Sequence, residues 1–157
     1  MRNEEWSSIS EFGDSDKSPG YLLWNVQLIW KREIERELNL YKLTHPQFVI
    51  LASIAYLTRN DNLVTQVELS RHTLCDINTT SQVLKLLEKN GLMTRLNMLG
   101  NDRSKYPVLT TLGYDILKPA IAAVESIDSG FFNVLNSAEL ESFKLSILRL
   151  IQNSVNI

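Results

Sequence analysis

Thr65-Gln-Val-Glu-Leu-Ser-Arg-His72 and Asp76-Ile-Asn-Thr-Thr-Ser-Gln-Val-Leu-Lys-Leu-Leu-Glu-Lys-Asn-Gly91 read as two short helices joined by a tight turn. Asn78, Ser81, Gln82, Lys85 and Lys89 follow one another at steps of three, one, three and four. On a helix those steps gather them on one face. The face offers amide, hydroxyl and ammonium groups, which suit base edges and phosphates. Thr80, Val83, Leu84 and Leu87 fall on the opposite side and can pack against the preceding helix. Any amphipathic helix has a polar solvent face, so the pattern alone does not separate a helix-turn-helix reader from an ordinary surface helix.

The residues after Gly91 favour the reader. Leu92-Met-Thr-Arg-Leu-Asn97 has a strand pattern, residues 98–106 form a polar hairpin tip, and Pro107-Val-Leu-Thr110 returns as a short strand. Proline has no amide hydrogen, so Pro107 suits the start or open side of an edge strand. Helix, turn, helix and a two-stranded ribbon carrying Arg103 and Lys105 describe a winged helix, whose wing makes a second, basic contact with DNA.

Ser18-Pro-Gly-Tyr-Leu-Leu-Trp24, Leu43-Thr-His-Pro-Gln-Phe-Val49, Val64 through His72, Thr79-Thr-Ser-Gln-Val83 and Arg103 through Thr110 together resemble the multiple-antibiotic-resistance regulator (MarR) family. The resemblance runs from about residue 18 to about residue 132. It implies a dimeric, DNA-binding transcriptional regulator, often a repressor relieved by small aromatic ligands or oxidants. The chain departs from the family pattern in two places. Leu74 and Cys75 stand where the family has glycine and an apolar residue in the turn. Asn101 stands in place of the wing aspartate, with Asp102 beside Arg103, which alters the expected bracing of the wing tip.

A chain of 157 residues is long enough for one domain with a real core. The net charge of −2 does not advertise nucleic-acid binding, so its distribution matters. Residues 66–107 carry Arg71, Lys85, Lys89, Arg95, Arg103 and Lys105 against Glu68, Asp76, Glu88 and Asp102, a local +2. Residues 1–20 carry Arg2 and Lys17 against Glu4, Glu5, Glu11, Asp14 and Asp16, a local −3. That polarity is compatible with DNA at the proposed reader. Residues 1–17 are acidic and without periodicity, and read as a mobile tail. The first apolar run begins only at Tyr21, unlike a secretory signal, and the apolar block over residues 48–57 is too short to span a bilayer. A cytoplasmic protein without membrane contact is expected. One cysteine forms no internal disulfide, and no Cys/His cluster suggests a metal or cofactor.

The expected fold is mainly α with a small β-wing. Residues 46–110 form the winged helix-turn-helix, flanked by dimerisation helices over residues 18–45 and 111–157. Ser18-Pro19 starts a long helix reaching about Tyr41, with apolar surface broad enough to meet two neighbours. Thr44 with Gln47, and Thr65 with Glu68, are capping-box pairs, and Gly91 suits a left-handed helix end. Thr110 caps a helix to about Ser129, in which Pro119 predicts a bend. Asn136 and Glu139 open a last helix with an apolar stripe through Leu140, Phe143, Ile147, Leu150 and Ile151. A second copy of the chain is the natural partner for that stripe.

Asn78, Thr79, Ser81, Gln82 and Lys85 are the residues expected in the major groove, with Arg103 and Lys105 on the wing, on a palindromic operator bound by a homodimer. Trp24, His45 and Phe48 are candidates for a small aromatic or phenolic effector pocket between helices. Cys75 reads as a core thiol; redox sensing through it is the competing reading. A winged helix that binds protein instead of DNA is a second alternative, and it calls for an apolar outer face on the second helix. Catalytic residues are not expected: two histidines and one cysteine form no oriented nucleophile–base pair, and no phosphate loop is present.

Overall fold

The computed structural model describes the backbone of Trp6 and of residues 8–98 and 101–155, and the side chains of those residues apart from 98, 101–104 and 155. Helix α1 spans Pro19–Leu38, capped by Ser18 Oγ, which accepts from the Tyr21 amide. A 3-10 turn over Asn39–Tyr41 and a left-handed Lys42 then reverse the chain. Helix α2, His45–Leu57, starts with the expected capping box: Gln47 Oε1 accepts from the Thr44 amide at 2.9 Å while Thr44 Oγ1 accepts from the Gln47 amide. Phe48, Ile50, Leu51 and Ile54 bury this helix at the centre of the molecule.

Helix α3, Gln66–Thr73, begins at the second capping box, with Glu68 accepting from the Thr65 amide at 2.7 Å. Helix α4, Ile77–Lys89, follows a three-residue turn. Thr80, Val83, Leu84 and Leu87 are all buried, as the spacing predicts. The core joins them to Ile34 and Leu38 of α1, Leu69 of α3, and Leu117 and Ala120 of helix α5, Thr111–Phe132. Helix α6, Ser137–Val155, opens at Asn136, whose Oδ1 accepts from the Glu139 amide while Glu139 caps Asn136 in return.

The wing is longer than its apolar pattern suggests. Strands β1, Met93–Met98, and β2, Asn101–Leu109, pair antiparallel from Met93 opposite Leu109 to Asn97 opposite Lys105, with an irregularity before Met98. The return strand therefore starts near Asn101, not at Pro107. Ladder bonding uses only the backbone, so polar residues continue the ribbon beyond the apolar alternation that marks its base. Pro107 is fully buried within β2, opposite Arg95. A two-stranded ribbon leaves both strands an unpaired edge, which tolerates a residue without an amide hydrogen. Helix α5 continues through Pro119 and ends at Phe132, past the expected Ser129.

Some expectations over residues 1–17 fall outside the described residues, namely those on residues 1–5 and 7. The described part is locally folded. Trp6 Nε1 donates to Phe12 O at 3.1 Å, Ser10 Oγ bonds the same carbonyl, and a 3-10 turn over Ser15–Lys17 leads into α1.

Gly91 (φ +72°) ends α4 in a Schellman arrangement, with the Leu92 amide on Leu87 O and the Gly91 amide on Glu88 O. Leu92 O in turn accepts from the Thr110 amide at 3.1 Å, and Thr110 Oγ1 donates to Gly91 O and accepts from the Gly113 amide. A Cβ on Gly113 would stand 1.9 Å from Leu92 O. Gly113→Ala must push α5 off the base of the wing, and a loss of about 2–3 kcal/mol is expected. Thermal and denaturant melts of the variant measure it. Leu74 lies in the left-handed region (φ 55°) with its side chain 61% exposed. That conformation costs a non-glycine residue roughly 1–2 kcal/mol, partly offset in a glycine variant by unfolded-chain entropy. Leu74→Gly is expected to stabilise the fold by about 0.5–1 kcal/mol, raising Tm by a few degrees.

Candidate nucleic-acid interface

The buried row Thr80, Val83, Leu84 and Leu87 fixes the roll of α4 about its axis. Steps of 100° then carry Asn78, Gln82, Lys85 and Lys89 to the opposite, exposed face. Asn78 and Lys89 are separated by eleven residues, roughly 16 Å along the helix, enough to follow several base steps. Ser81 sits at the edge of this face and is half-buried.

Thr79 behaves differently from its neighbours. Asp76 caps α4, Oδ1 accepting from the Thr79 amide at 2.8 Å, and the Thr79 hydroxyl donates to Asp76 Oδ2. The hydroxyl expected to meet a base is thus engaged in the cap. The same two bonds, led by the side-chain one, hold the Asp76 carboxyl below the usual aspartate range. Thr80 is fully buried, and its hydroxyl donates to Asp76 O at 2.9 Å, so both threonines serve the helix start.

On the wing, Lys105 is exposed opposite Asn97. The Arg103 backbone belongs to β2, but its side chain lies outside the described residues. Arg95, which is not among the expected contact residues, places Nε 3.2 Å from Glu88 Oε2 and so ties β1 to the last turn of α4. Its signal was visible only as a seven-residue separation across the Gly91 turn, which no helical or strand period marks.

The turn between α3 and α4 also differs from expectation. With Leu74 left-handed, its side chain faces solvent, and Cys75 is half-buried instead of lying in the core. Cys75 O accepts from Ser70 Oγ at 2.6 Å, and its amide donates to Thr73 Oγ1. His72 stacks on Tyr56, with ring centroids 5.8 Å apart, and Arg59 lies over the same tyrosine.

The three effector candidates are not brought together. Trp24 is exposed beside Gly20, Leu23 and Gln27. Phe48 belongs to the core. His45 meets Trp30 edge-on at 5.3 Å, and burial pushes its imidazole pKa down from the ordinary value. Trp30 Nε1 donates to Asp128 Oδ1 at 2.8 Å, linking α1 to α5 across 98 residues. An apolar cavity of about 220 Å³ opens beside that link, walled by Leu23, Val26 and Trp30 from α1, Phe131 and Phe132 from α5, and Phe143 and Ile147 from α6. Trp24 and Trp30 fall on the same long helix, and only tertiary packing separates the expected Trp24 from the Trp30 that lines this cavity.

Among the described residues no helix is long and apolar enough to cross a membrane, and no group of three or more potential ligands could hold a metal ion.

The MarR family model matches residues 43–105, which run from the start of α2 into the wing. The chain is 35% identical to the uncharacterised HTH-type transcriptional regulator YdcH of Bacillus subtilis, over 82% of this chain and 86% of that one. It is 30% identical to the HTH-type transcriptional repressor Rv2887 of Mycobacterium tuberculosis, over 88% and 97% of the two chains. The structure of Rv2887 with salicylic acid superposes with a TM-score of 0.65 at 29% identity, covering 87% of this chain and 99% of the other. Its complex with DNA gives 0.63 at 27%, covering 85% and 97%. The chain belongs to the MarR family of winged-helix, DNA-binding transcriptional regulators. Both relatives are HTH-type transcriptional regulators.

Gln82 and Lys105 separate the two kinds of contact such a surface makes. Gln82→Ala is expected to cost about 1–3 kcal/mol against the specific site and to relax base preference there. Lys105→Ala should weaken all duplexes alike and reduce the slope of log affinity against log salt by about one. Titrations of specific and scrambled duplexes at several salt concentrations distinguish the two.

Proposed function

We propose that the chain is a repressor that binds a palindromic operator as a homodimer and is released by a small aromatic acid. The observation that carries the DNA part is the exposed row Asn78, Gln82, Lys85 and Lys89 on a capped helix with an exposed lysine on the adjoining wing. Ser81 at the edge of that row and Thr79 join the contact, and Arg103 supplies the wing tip. A protein-binding winged helix calls for an apolar face in this position, and this face is polar.

The dimer rests on what α1 and α6 leave uncovered. Leu22, Leu28 and Ile29 of α1 and Leu145, Leu148, Leu150 and Ile151 of α6 are exposed. Among the described residues, helix α6 makes no extensive contact with another element of its own chain, and its ring contact is Phe143 on Phe132. A second copy that interleaves α1 and α6 covers these residues and sets two copies of α4 roughly 34 Å apart, one turn of duplex.

For the effector, the cavity beside Trp30 replaces the Trp24, His45 and Phe48 junction; of those three, His45 remains at its margin through its contact with Trp30. Its walls belong to the dimerising helices, and an adjoining hollow includes Lys144, which a ligand carboxylate would have to share with Glu141, 2.7 Å away. A ligand there lowers DNA affinity only by preferring a dimer whose reading helices are wrongly spaced. The salicylic acid complex of Rv2887 supports this ligand class.

The test is a duplex selected from a random pool, or taken from upstream of the chain's own coding sequence, titrated in a mobility-shift assay with sedimentation of the complex. Two chains per specific duplex are expected. Salicylate should weaken the complex about 5–150-fold, the range of ordinary allosteric coupling, and DNA should weaken salicylate binding by the same factor. One chain per site overturns the homodimer. Salicylate binding without effect on DNA overturns the effector assignment, and so does an effect of oxidants alone through Cys75.

A further inference from the structure

Ile77 is the first residue of α4 and its side chain is 42% exposed. A single exposed aliphatic residue is ordinary on a protein surface; its position is what distinguishes this one. The roll of α4 fixed by its buried residues puts Ile77 one turn ahead of Ser81, on the flank of the helix about 100° round from Asn78, and as the first residue of α4 it stands exposed at the leading tip. Helix-turn-helix readers contact base edges with the N-terminal residues of that helix. The tip is held in place: Asp76 caps it through Thr79, and Gln66 Nε2 of α3 reaches Ile77 O at 3.5 Å.

An aliphatic side chain there has no polar atom with which to read a hydrogen-bond pattern. Among the four bases, the apolar feature that the major groove displays is the 5-methyl group of thymine. We propose that Ile77 is a specificity-determining residue that packs on one thymine methyl in each half-site. This rests on the operator reading above. The β-branched side chain is short and stiff, so it selects one groove position instead of sweeping several.

The experiment takes the full chain and its selected duplex and replaces thymines one symmetric pair at a time by deoxyuridine, which keeps every pairing hydrogen bond and removes only the methyl. Wild type should lose about fourfold in affinity per half-site at one thymine pair, the equivalent of ~0.8 kcal/mol for a buried methyl. Ile77→Ala should bind the thymine duplex correspondingly weakly and show no further loss with deoxyuridine at that pair. Ile77→Val should keep most of the methyl dependence, which separates contact from a folding defect. The proposal is overturned by a wild type indifferent to every methyl, or by an alanine variant that retains the full dependence. A wild type that selects no duplex at all overturns the operator reading together with this one; methyl indifference in a chain that does select a duplex overturns the Ile77 assignment alone.

Discussion

The carbonyl oxygen of Leu92 is where the three working parts of the molecule meet. Its residue closes the Schellman end of α4, its oxygen accepts from Thr110 where the wing returns to its base, and the Gly113 backbone of α5 lies against it. Thr110 adds a bond to Gly91 O, so the end of the reading helix and the start of α5 share one small knot of backbone. Side chains rearrange at modest cost, but a backbone oxygen in van der Waals contact with an α-carbon has no rotamer to change. The reading helix, the wing base and the first turn of α5 therefore move as one rigid piece. The freedom left to the protein lies elsewhere, along the link from Trp30 to Asp128 and in the placement of α6.

That division explains how a change between α1, α5 and α6 can reach the DNA. The Trp30–Asp128 bond and the aromatic cavity beside it sit at the far end of α5 from Gly113. Tilting α5 from that end carries α4 along through the Leu92 junction. In the proposed homodimer, the internal geometry of the reader stays fixed and the distance between two readers changes. Arg95 and Glu88 reinforce the same rigidity by pinning β1 to the last turn of α4, although a partly exposed pair of this kind contributes about 0–1 kcal/mol.

Much of this was legible in the sequence because local chemistry and periodicity agree. The capping boxes at Thr44 and Thr65, the Asn136–Glu139 pair and Gly91 mark helix ends through bonds between residues only a few positions apart. The buried set of α4 follows from a 3.6-residue period against one core. Legibility stopped where the deciding neighbour is distant or the cue is absent. Nothing in a leucine announces a left-handed turn, yet Leu74 adopts one and moves Cys75 out of the core. Thr79 carries a hydroxyl suited to bases, and only the structure shows it bonded to Asp76. Trp24 and Trp30 are equivalent by composition, and Asp128, 98 positions away in sequence, chooses between them. The wing outran its apolar pattern because ladder bonds need no apolar side chains.

Asp76 has an effect beyond capping. It places an exposed carboxylate, kept ionised by Thr79, at the leading tip of α4, the helix proposed to enter the groove, in a region whose local charge is only +2 and a chain whose total is −2. Phosphates attract every duplex alike, so a modest cationic surface with an anion at its leading point is weakly retained by random DNA. Discrimination then grows by lowering the floor and not only by raising the ceiling. The chain dwells briefly at each wrong site during its search, and fewer copies are sequestered along the chromosome. A regulator whose genome offers millions of decoys gains as much from that short dwell as from any contact it makes at the right address.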